Sequence, residues 1–508
     1  MLGRSIGAVL LGVEARLVDV EVDLTGGLPT IAAVGLPDST VREGIDRVRS
    51  ALRHAGFTFP PQRIVINLAP AELPKHGAGL DLPIAVALLR AAGGLDPAEG
   101  ASAVYLGELA LDGSIRPVRG ALAVALAARS AGRPAIVLPT ENAGEAALVD
   151  GLDVVAVGSL ADLGGRAHTV APPVARASMR ELLAHEAARP IAPDLADVRG
   201  QPSARRAIEI AAAGGHHLLL CGPPGSGKTL LAQRLPGILP SLDSREALEV
   251  TRIHSAAGLT HGPVCRRPFR APHHGVSAAG LTGGGRGLRP GEVSLSTHGV
   301  LYLDELTEFR RDALEALRQP LEEGRIRVSR VHGAVELPAE FTLVASMNPC
   351  PCGFHGDPAG RCSCRPSAVE RYCGRLSGPL LDRFDLVIEV PPVDIVALGL
   401  AARGETSAVV RRRVELARVR QRDRLGPHGP PSNARMGPLD LDRHATPVSE
   451  ARRLLEAAAV RLGLTARGFD RVRRVSRTIA DLAGAERVEA RHVAEALQYR
   501  RPGARSLR

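Results

Sequence analysis

At 508 residues the chain is too long for one core and predicts two to four domains, which its 45% hydrophobic content can fill. With 64 Lys and Arg against 54 Asp and Glu, the net charge is +10, which favours a polyanionic partner without choosing between nucleic acid and a membrane surface. Only 2% aromatic residues and no Trp argue against base stacking as the main grip, and no uninterrupted apolar run reaches the ~18 residues of a membrane span. Met1–Arg16 lacks a signal-peptide core, and seven Cys, four of them clustered, suit an intracellular metal site better than a secreted disulfide framework, so the cytoplasm is the expected compartment.

Residues 1–165 alternate β-like runs with Ala-rich helical stretches. Val18–Leu24, Thr30–Val34, Arg63–Leu68 and Ala135–Leu138 read as strands, Ser39–Ala55, Leu80–Ala92 and Leu122–Ala131 as helices, and Ser114–Pro117 as a turn. The pattern predicts an α/β domain with mixed strand directions and no cofactor loop. Residues 166–192, rich in Ala and Pro, read as a linker with one helix around Met179–Ala188.

Ser203–Ala213 reads as a helix leading into His217–Cys221, a short apolar run with the signature of a buried parallel strand. Gly222-Pro223-Pro224-Gly225-Ser226-Gly227-Lys228-Thr229 follows, then the helical stretch Leu230–Leu235. Strand, glycine-rich loop and helix in that order form a phosphate-binding loop. Its glycines let backbone N–H groups turn inward around ATP phosphates, Lys228 is placed for the β- and γ-phosphates, and Thr229 for Mg²⁺. Lys228 is one of only two lysines, the other being Lys75, so a chain that otherwise uses arginine has set a compact ammonium where phosphate chemistry needs one.

A long excursion holds Arg266, Arg267, Arg270, His273 and His274, then the glycine-rich stretch Gly280–Gly291 with Arg286 and Arg289. Gly299–Glu305 is a hydrophobic strand ending in two carboxylates, Asp304 beside the Mg²⁺ and Glu305 to polarise the attacking water. Arg310–Glu323 reads as one charged helix. Arg325–Arg330 and Val335–Leu337 pair as a hairpin that sets Arg325 and Arg327 on one face. Phe341–Ser346 is a buried strand leading to Asn348, a candidate to orient the water or touch the γ-phosphate.

Cys350-Pro351-Cys352 and Cys362-Ser363-Cys364, nine residues apart, can meet around one tetrahedral Zn²⁺ as a structural site; Cys373 is a spare ligand. Arg383 precedes the strand Leu386–Val390 and is either a surface arginine or one donated to a neighbouring subunit's γ-phosphate. The helix Glu405–Arg424, with seven arginines from Arg411 to Arg424, reads as a solvated face or a nucleic-acid contact, and Leu425–Pro438 as a linker. Ser449–Leu462, Ala466–Ala483 and Ala490–Leu497 complete a small helical bundle.

Taken together, Asp197–Gln201, Ala211–His217, Arg267–His274, Gly291–Leu295, Asn348–Gly353 and Ser377–Arg383 resemble the magnesium-chelatase-like AAA+ ATPases of the ComM/YifB type. The resemblance implies an α/β fold in which residues 193–400 form an AAA+ core and 401–508 a basic helix, linker and helical lid. It implies Arg383 as an arginine finger, Asn348 as first sensor and Arg467 as second sensor, with Arg473 and Arg474 as alternatives for the last. His254–His298 corresponds to the family's helix-2 insert and Arg325–Leu337 to its pre-sensor hairpin, with Arg266, Arg267, Arg270, Arg325 and Arg327 as phosphate contacts. The implied function is a homo-hexameric, ATP-driven motor on single-stranded or branched DNA, a branch-migration helicase with no membrane partner. A protein-remodelling ATPase and a chelatase motor subunit are the alternatives.

The N-terminal part looks like the proteolytic domain of Lon-type proteases. Gly79 falls where that family has its serine nucleophile and Leu122 where it has its lysine. Glycine offers no nucleophile and leucine no base, so hydrolysis by that dyad is excluded on chemistry.

Overall fold

The computed structural model describes residues 1–163, 178–189, 193–285, 288–330, 333–357, 359–392 and 403–500. Much of the expected linker, Arg286, His332 and the 400/401 boundary lie outside these residues.

The run Leu218–Cys221 is fully paired on both sides, parallel to Thr342–Met347 and to Leu386–Glu389. Val300–Leu303 and then Phe269–Arg270 extend the same parallel sheet to five strands. Strands buried on both faces have no polar side to alternate with, which is why these segments read as continuous apolar runs. Leu218 and Leu220 face one core with the helices Pro202–Gly214 and Lys228–Ile238; Leu219 and Cys221 face the other with Leu317, Leu321 and Phe384.

The first of these cores continues into the C-terminal helices Ser407–Leu425, Ser449–Leu462, Ala466–Leu482 and Ala490–Gln498 through Val414, Leu455, Val475 and Val493. The arginines of Ser407–Leu425 differ from expectation. Arg411 donates to Gly237 O at 3.0 Å and Arg418 to Ala212 O at 3.0 Å, covering carbonyls in the last turns of two core helices. Arg413 binds Glu209 at 2.6 Å and Glu405 at 2.7 Å, and Arg420 donates to Asp481 O at 2.7 Å. Five of the seven, Arg424 included, therefore tie this helix to the rest of the chain, leaving Arg412 and Arg422 on the exposed face.

Leu425–Pro438 is likewise no loose linker. Asn433 and Met436 are buried, and Asn433 Nδ2 donates to Asp481 Oδ2 at 2.8 Å. The expected helix Arg310–Glu323 is divided into Arg311–Ala316 and Arg318–Glu323, which pass through Leu317. The hairpin Arg325–Arg330 with Gly333–Pro338 forms in the register Arg327↔Glu336.

A second, seven-stranded sheet runs Ile31–Val34, Arg63–Ala69, Glu14–Thr25, Leu2–Leu11, Val104–Tyr105, Ala135–Pro139 and Asp153–Val157, with both parallel and antiparallel pairs. Leu2–Leu11 was not expected as a strand. It turns into Glu14–Thr25 through two residues, Gly12 at φ +65° and Val13, the glycine supplying the left-handed angle such a turn needs. Ser114–Pro117 is not simply a turn, since Ile115–Arg116 pairs with Glu108–Leu109. Val13 enters the core on the far face of the five-stranded sheet, and a Cβ on Gly12 would lie 2.8 Å from Val335 Cγ1 of the Arg325–Pro338 hairpin.

Asp481, 1% exposed, accepts from Arg424 at 2.7 Å on each oxygen and from Arg477 at 3.0 Å. Asp481→Ala takes the carboxylate from Arg424 and from the buried Arg477, which keeps only the carbonyls of Ala485 and Glu486, and is expected to destabilise the protein by about 3 kcal/mol or more in urea unfolding. A loss of under about 1 kcal/mol, the worth of an exposed pair, would show that this network does not hold the lid.

Candidate nucleotide site

The loop Gly222–Thr229 leaves the strand Leu218–Cys221 at its C-terminal end and opens the helix Lys228–Ile238. A Cβ on Gly222 would lie 2.2 Å from Val390 O, and Gly225 and Gly227 take φ of +76° and +83°. Gln201, itself at φ +53°, donates through Nε2 to Ser226 O at 2.5 Å and props the loop from behind. The first-turn N–H groups of the helix thus face the hollow of the loop, a ready anion site.

Lys228 Nζ donates to Gly222 O at 2.7 Å and Pro223 O at 2.9 Å, and lies 3.3 Å from Asn348 Oδ1. Its burial lowers the ammonium's pKa, an effect opposed by Cys221, Asp304 and Glu305. Thr229 Oγ1 donates to Asp304 Oδ2 at 3.0 Å and lies 3.1 Å from the Tyr302 hydroxyl. Burial alone would raise Asp304, but hydrogen bonds from Ser346, Thr229 and Tyr302 hold it below the ordinary carboxylate value. A hydroxyl beside an ionised carboxylate is a hard-oxygen pair that fits Mg²⁺. Glu305 sits at φ +53°, a strained angle for a glutamate, with its carboxylate largely exposed and 3.6 Å from His274 Nδ1.

Arg383 and Arg467 are elsewhere. They line a cavity of about 350 Å³ with His217, Asp385, Arg435, Arg471 and Arg474. His217 precedes the strand whose other end bears the loop, so the strand's four residues, at about 3.3 Å each, put roughly 13 Å between the two places. Arg383 pairs with Glu322 and donates to Pro379 O at 2.8 Å. Arg467 is exposed with no polar partner among the described residues, Arg474 donates to Met436 O at 2.9 Å, and Arg473 is engaged by Asp442 at 2.9 Å away from the cavity lining.

The five arginines expected to meet phosphates all have carboxylate partners. Arg266 pairs with Glu186, Arg267 with Glu246 at 2.9 Å, and Arg270 with both oxygens of Glu292 at 2.7 and 2.8 Å. Arg325 and Arg327 share Glu336, at 3.3 and 2.9 Å, and remain half exposed. Cys350, Cys352, Cys362 and Cys364 converge, whereas Cys373 donates to Pro349 O at 4.0 Å outside the group. Leu122 is fully buried, and a Cβ on Gly79 would lie 3.0 Å from Leu106 Cδ1.

Sequence reasoning missed Ser346, Gln201 and the cavity residues Arg435 and Arg471. The first two hydrogen-bond into the site from other segments, and only their folded positions mark them.

A central strand flanked by its two parallel neighbours, a phosphate loop at its C-terminal end and carboxylates on the next strand but one define a P-loop ATPase. Three family models match: "Magnesium chelatase, subunit ChlI" over residues 194–398, "Subunit ChlI of Mg-chelatase" over 20–142 and "Magnesium chelatase, subunit ChlI C-terminal" over 404–500. The chain is 47% identical over 509 residues to an uncharacterized protein of Mycobacterium tuberculosis, covering 99% of each. It is 44% identical over 497 residues to competence protein ComM of Haemophilus influenzae, covering 96% of each. It is 42% identical over 497 residues to YifB of Escherichia coli, covering 96% of this chain and 95% of that one. The chain belongs to the magnesium-chelatase-type AAA+ ATPases, together with ComM and YifB, and is an ATP-hydrolysing enzyme of that class. Among the described residues no helix is long and apolar enough to cross a membrane.

Burial lowers the His217 imidazole to about 4 despite the pull of Asp385, and its Nδ1 accepts the Leu343 N–H at 3.0 Å. The unfolded chain therefore takes up this proton first. Stability is full above about pH 6.5 and falls as pH drops toward 4, by at most about 3 kcal/mol because the ring faces the cavity. His217→Asn, which keeps an acceptor for Leu343, is expected to flatten the pH dependence of urea unfolding across that window.

Proposed function

We propose that this chain is the subunit of a homo-hexameric ring that couples ATP hydrolysis to movement on single-stranded or branched DNA, as a branch-migration helicase. The observation that carries the ring is the distance between the phosphate loop and the cavity of Arg383 and Arg467. With the triphosphate site at one end of a strand and Arg383 and Arg467 at the other, arginines reach the γ-phosphate from a neighbour's cavity rather than from the same chain, Arg383 exchanging Glu322 for it. On ATP binding Lys228 exchanges the carbonyls of Gly222 and Pro223 for the β- and γ-phosphates. Thr229 and Asp304 would hold Mg²⁺, which would supply charge neutralisation there. Glu305 takes the proton of the attacking water, Asn348 orients that water, and the neighbour's Arg383 and Arg467 stabilise the charge that develops on the γ-phosphate.

DNA as the partner is supported by the +10 charge, by the hairpin on which two half-exposed arginines share one glutamate, and by the competence protein among the relatives. Arg325 and Arg327 are the preferred phosphate contacts: like Arg266, Arg267 and Arg270 they have a carboxylate to leave, but theirs is one glutamate shared between the two. Residues 1–165, with Gly79 and Leu122 in place of a dyad, act in assembly or guidance rather than proteolysis. The chelatase descriptions of the matching family models favour a second reading, a motor subunit for metal insertion into a tetrapyrrole. A protein-remodelling ATPase is the third.

Arg383→Ala is expected to lower steady-state hydrolysis by about 10³-fold, and mixing it with Lys228→Ala protomers to restore part of the rate, because one kind of mixed interface is intact. Full activity of assembled Arg383→Ala would remove that residue from the role.

Branched and single-stranded DNA are expected to stimulate hydrolysis at near-physiological salt and to be displaced or migrated. Arg325→Ala with Arg327→Ala should keep ATP binding, lose that stimulation and lessen the salt dependence of DNA binding by somewhat under one log–log unit per lost contact. A verified hexamer with active ATPase that DNA does not stimulate would overturn the DNA reading; stimulation by unfolded polypeptide or by a tetrapyrrole would then choose between the others.

A further inference from the structure

Residues 350–357 and 359–364 lie between the strand Thr342–Met347, which Asn348 follows, and the helix Pro366–Cys373. The ligand atoms of Cys350, Cys352, Cys362 and Cys364 all lie within 4.8 Å of one another. Cys350 Sγ is 3.3 Å from Cys352 Sγ and 3.9 Å from Cys362 Sγ, and Cys352 Sγ is 3.7 Å from Cys362 Sγ. Four sulfurs around a tetrahedral ion at about 2.3 Å are about 3.8 Å apart, so little movement is needed to close the site. All four cysteines are free thiols.

The backbone supplies one partner: the N–H of His355 points at Cys350 Sγ at 3.3 Å, the kind of outer bond that orients a metal-bound thiolate.

The same loop lies on the nucleotide site. Gly353 has φ +86°, and a Cβ there would lie 2.5 Å from Pro224 Cδ. Two residues before Cys350, Asn348 Oδ1 lies 3.3 Å from Lys228 Nζ. The segment thus touches the phosphate loop at Pro224 and at Lys228, on either side of the first cysteine pair. Within this segment Arg361 binds Asp357 at 2.7 Å and lies over the Phe354 ring, and an ion would add a direct bond between the two cysteine pairs.

We infer that Cys350, Cys352, Cys362 and Cys364 bind one thiophilic divalent ion, Zn²⁺, and that the closed loop braces the phosphate loop through Gly353 and Pro224, so nucleotide affinity depends on the metal. The second half rests on the reading of Gly222–Thr229 as the phosphate loop. Four thiolates fill the ion's coordination sphere and leave no position for a reacting water, so the metal acts on binding and not on the chemistry.

The test uses the full chain, purified under reducing conditions without a metal-binding tag or chelator. Elemental analysis should give one zinc per chain, and exchange with Co²⁺ should give the near-ultraviolet charge-transfer and strong visible bands of a tetrahedral tetrathiolate site. Stripping the ion with an organomercurial, followed by thiol to remove the mercury, should weaken binding of a fluorescent ADP analogue roughly tenfold. Added Zn²⁺ should restore it and Mg²⁺ should not. Gly353→Ala should keep the zinc and the cobalt spectrum and still weaken the nucleotide, which separates bracing from folding. Protein without zinc and without a cobalt spectrum would overturn the site. A filled site whose stripping, like Gly353→Ala, leaves ADP affinity unchanged would overturn the coupling. Lys228→Ala should lose the nucleotide with zinc in place; normal nucleotide binding there would sink the phosphate-loop reading and leave the metal stoichiometry standing.

Discussion

One buried histidine fixes the geometry on which the rest depends. His216 is fully buried, and its ring bonds Asp385 at 3.1 Å on one side and Thr478 Oγ1 at 2.8 Å on the other. It thereby joins the start of the central strand, the start of the neighbouring strand and the lid helix Ala466–Leu482. Asp385, two residues after Arg383, also lies 3.7 Å from Arg471, which is about one helical turn from Arg467. Although its burial would raise Asp385, the bond to His216 and the nearby positive charges hold it well below the ordinary carboxylate value. The carboxylate at this junction stays ionised beside Arg471 on the wall of the rear cavity, while the central strand Leu218–Cys221 carries the phosphate loop at its far end. Movement of the lid is therefore movement of the cavity.

The charge of the chain is spent mostly on internal ties. Lys75 and Lys228, the only lysines, both fold onto backbone carbonyls, Lys75 onto Pro70 O and Lys228 onto Gly222 O and Pro223 O. For Lys228 those are weak neutral partners that an anionic phosphate can displace. Many of the arginines are held by carboxylates or by backbone carbonyls, which suits a planar fork with several donors. A high count of basic residues is thus a poor guide to how much free positive surface remains.

What was legible in the sequence follows from this. The phosphate loop, the carboxylate pair, the Cys pairs and the Arg325–Pro338 hairpin are local patterns, and their chemistry is set within a few residues. The partners of the arginines are not local: Glu292 lies 22 residues from Arg270, and Glu209 lies 204 from Arg413. No spacing rule reaches so far, so the helix Ser407–Leu425 read as a solvated or DNA-binding face although most of its arginines are internal ties. Leu2–Leu11 was missed because its middle is buried without alternation, which removes the period-two signal of a half-exposed strand. The place of Arg383 and Arg467 relative to the loop is a property of sheet topology, and no motif records it.

The Gly12–Val13 turn gives the N-terminal sheet a mechanical part. Val13 is 1% exposed within the core beneath the five-stranded sheet, and Gly12 lies so near Val335 and Leu337 of the hairpin that bears Arg325 and Arg327 that a Cβ would not fit between them. Close-packed side chains transmit displacement instead of absorbing it. Any displacement of the hairpin would therefore load the ten-residue strand Leu2–Leu11 that enters this turn, so the N-terminal sheet would act as a stop on the hairpin's range.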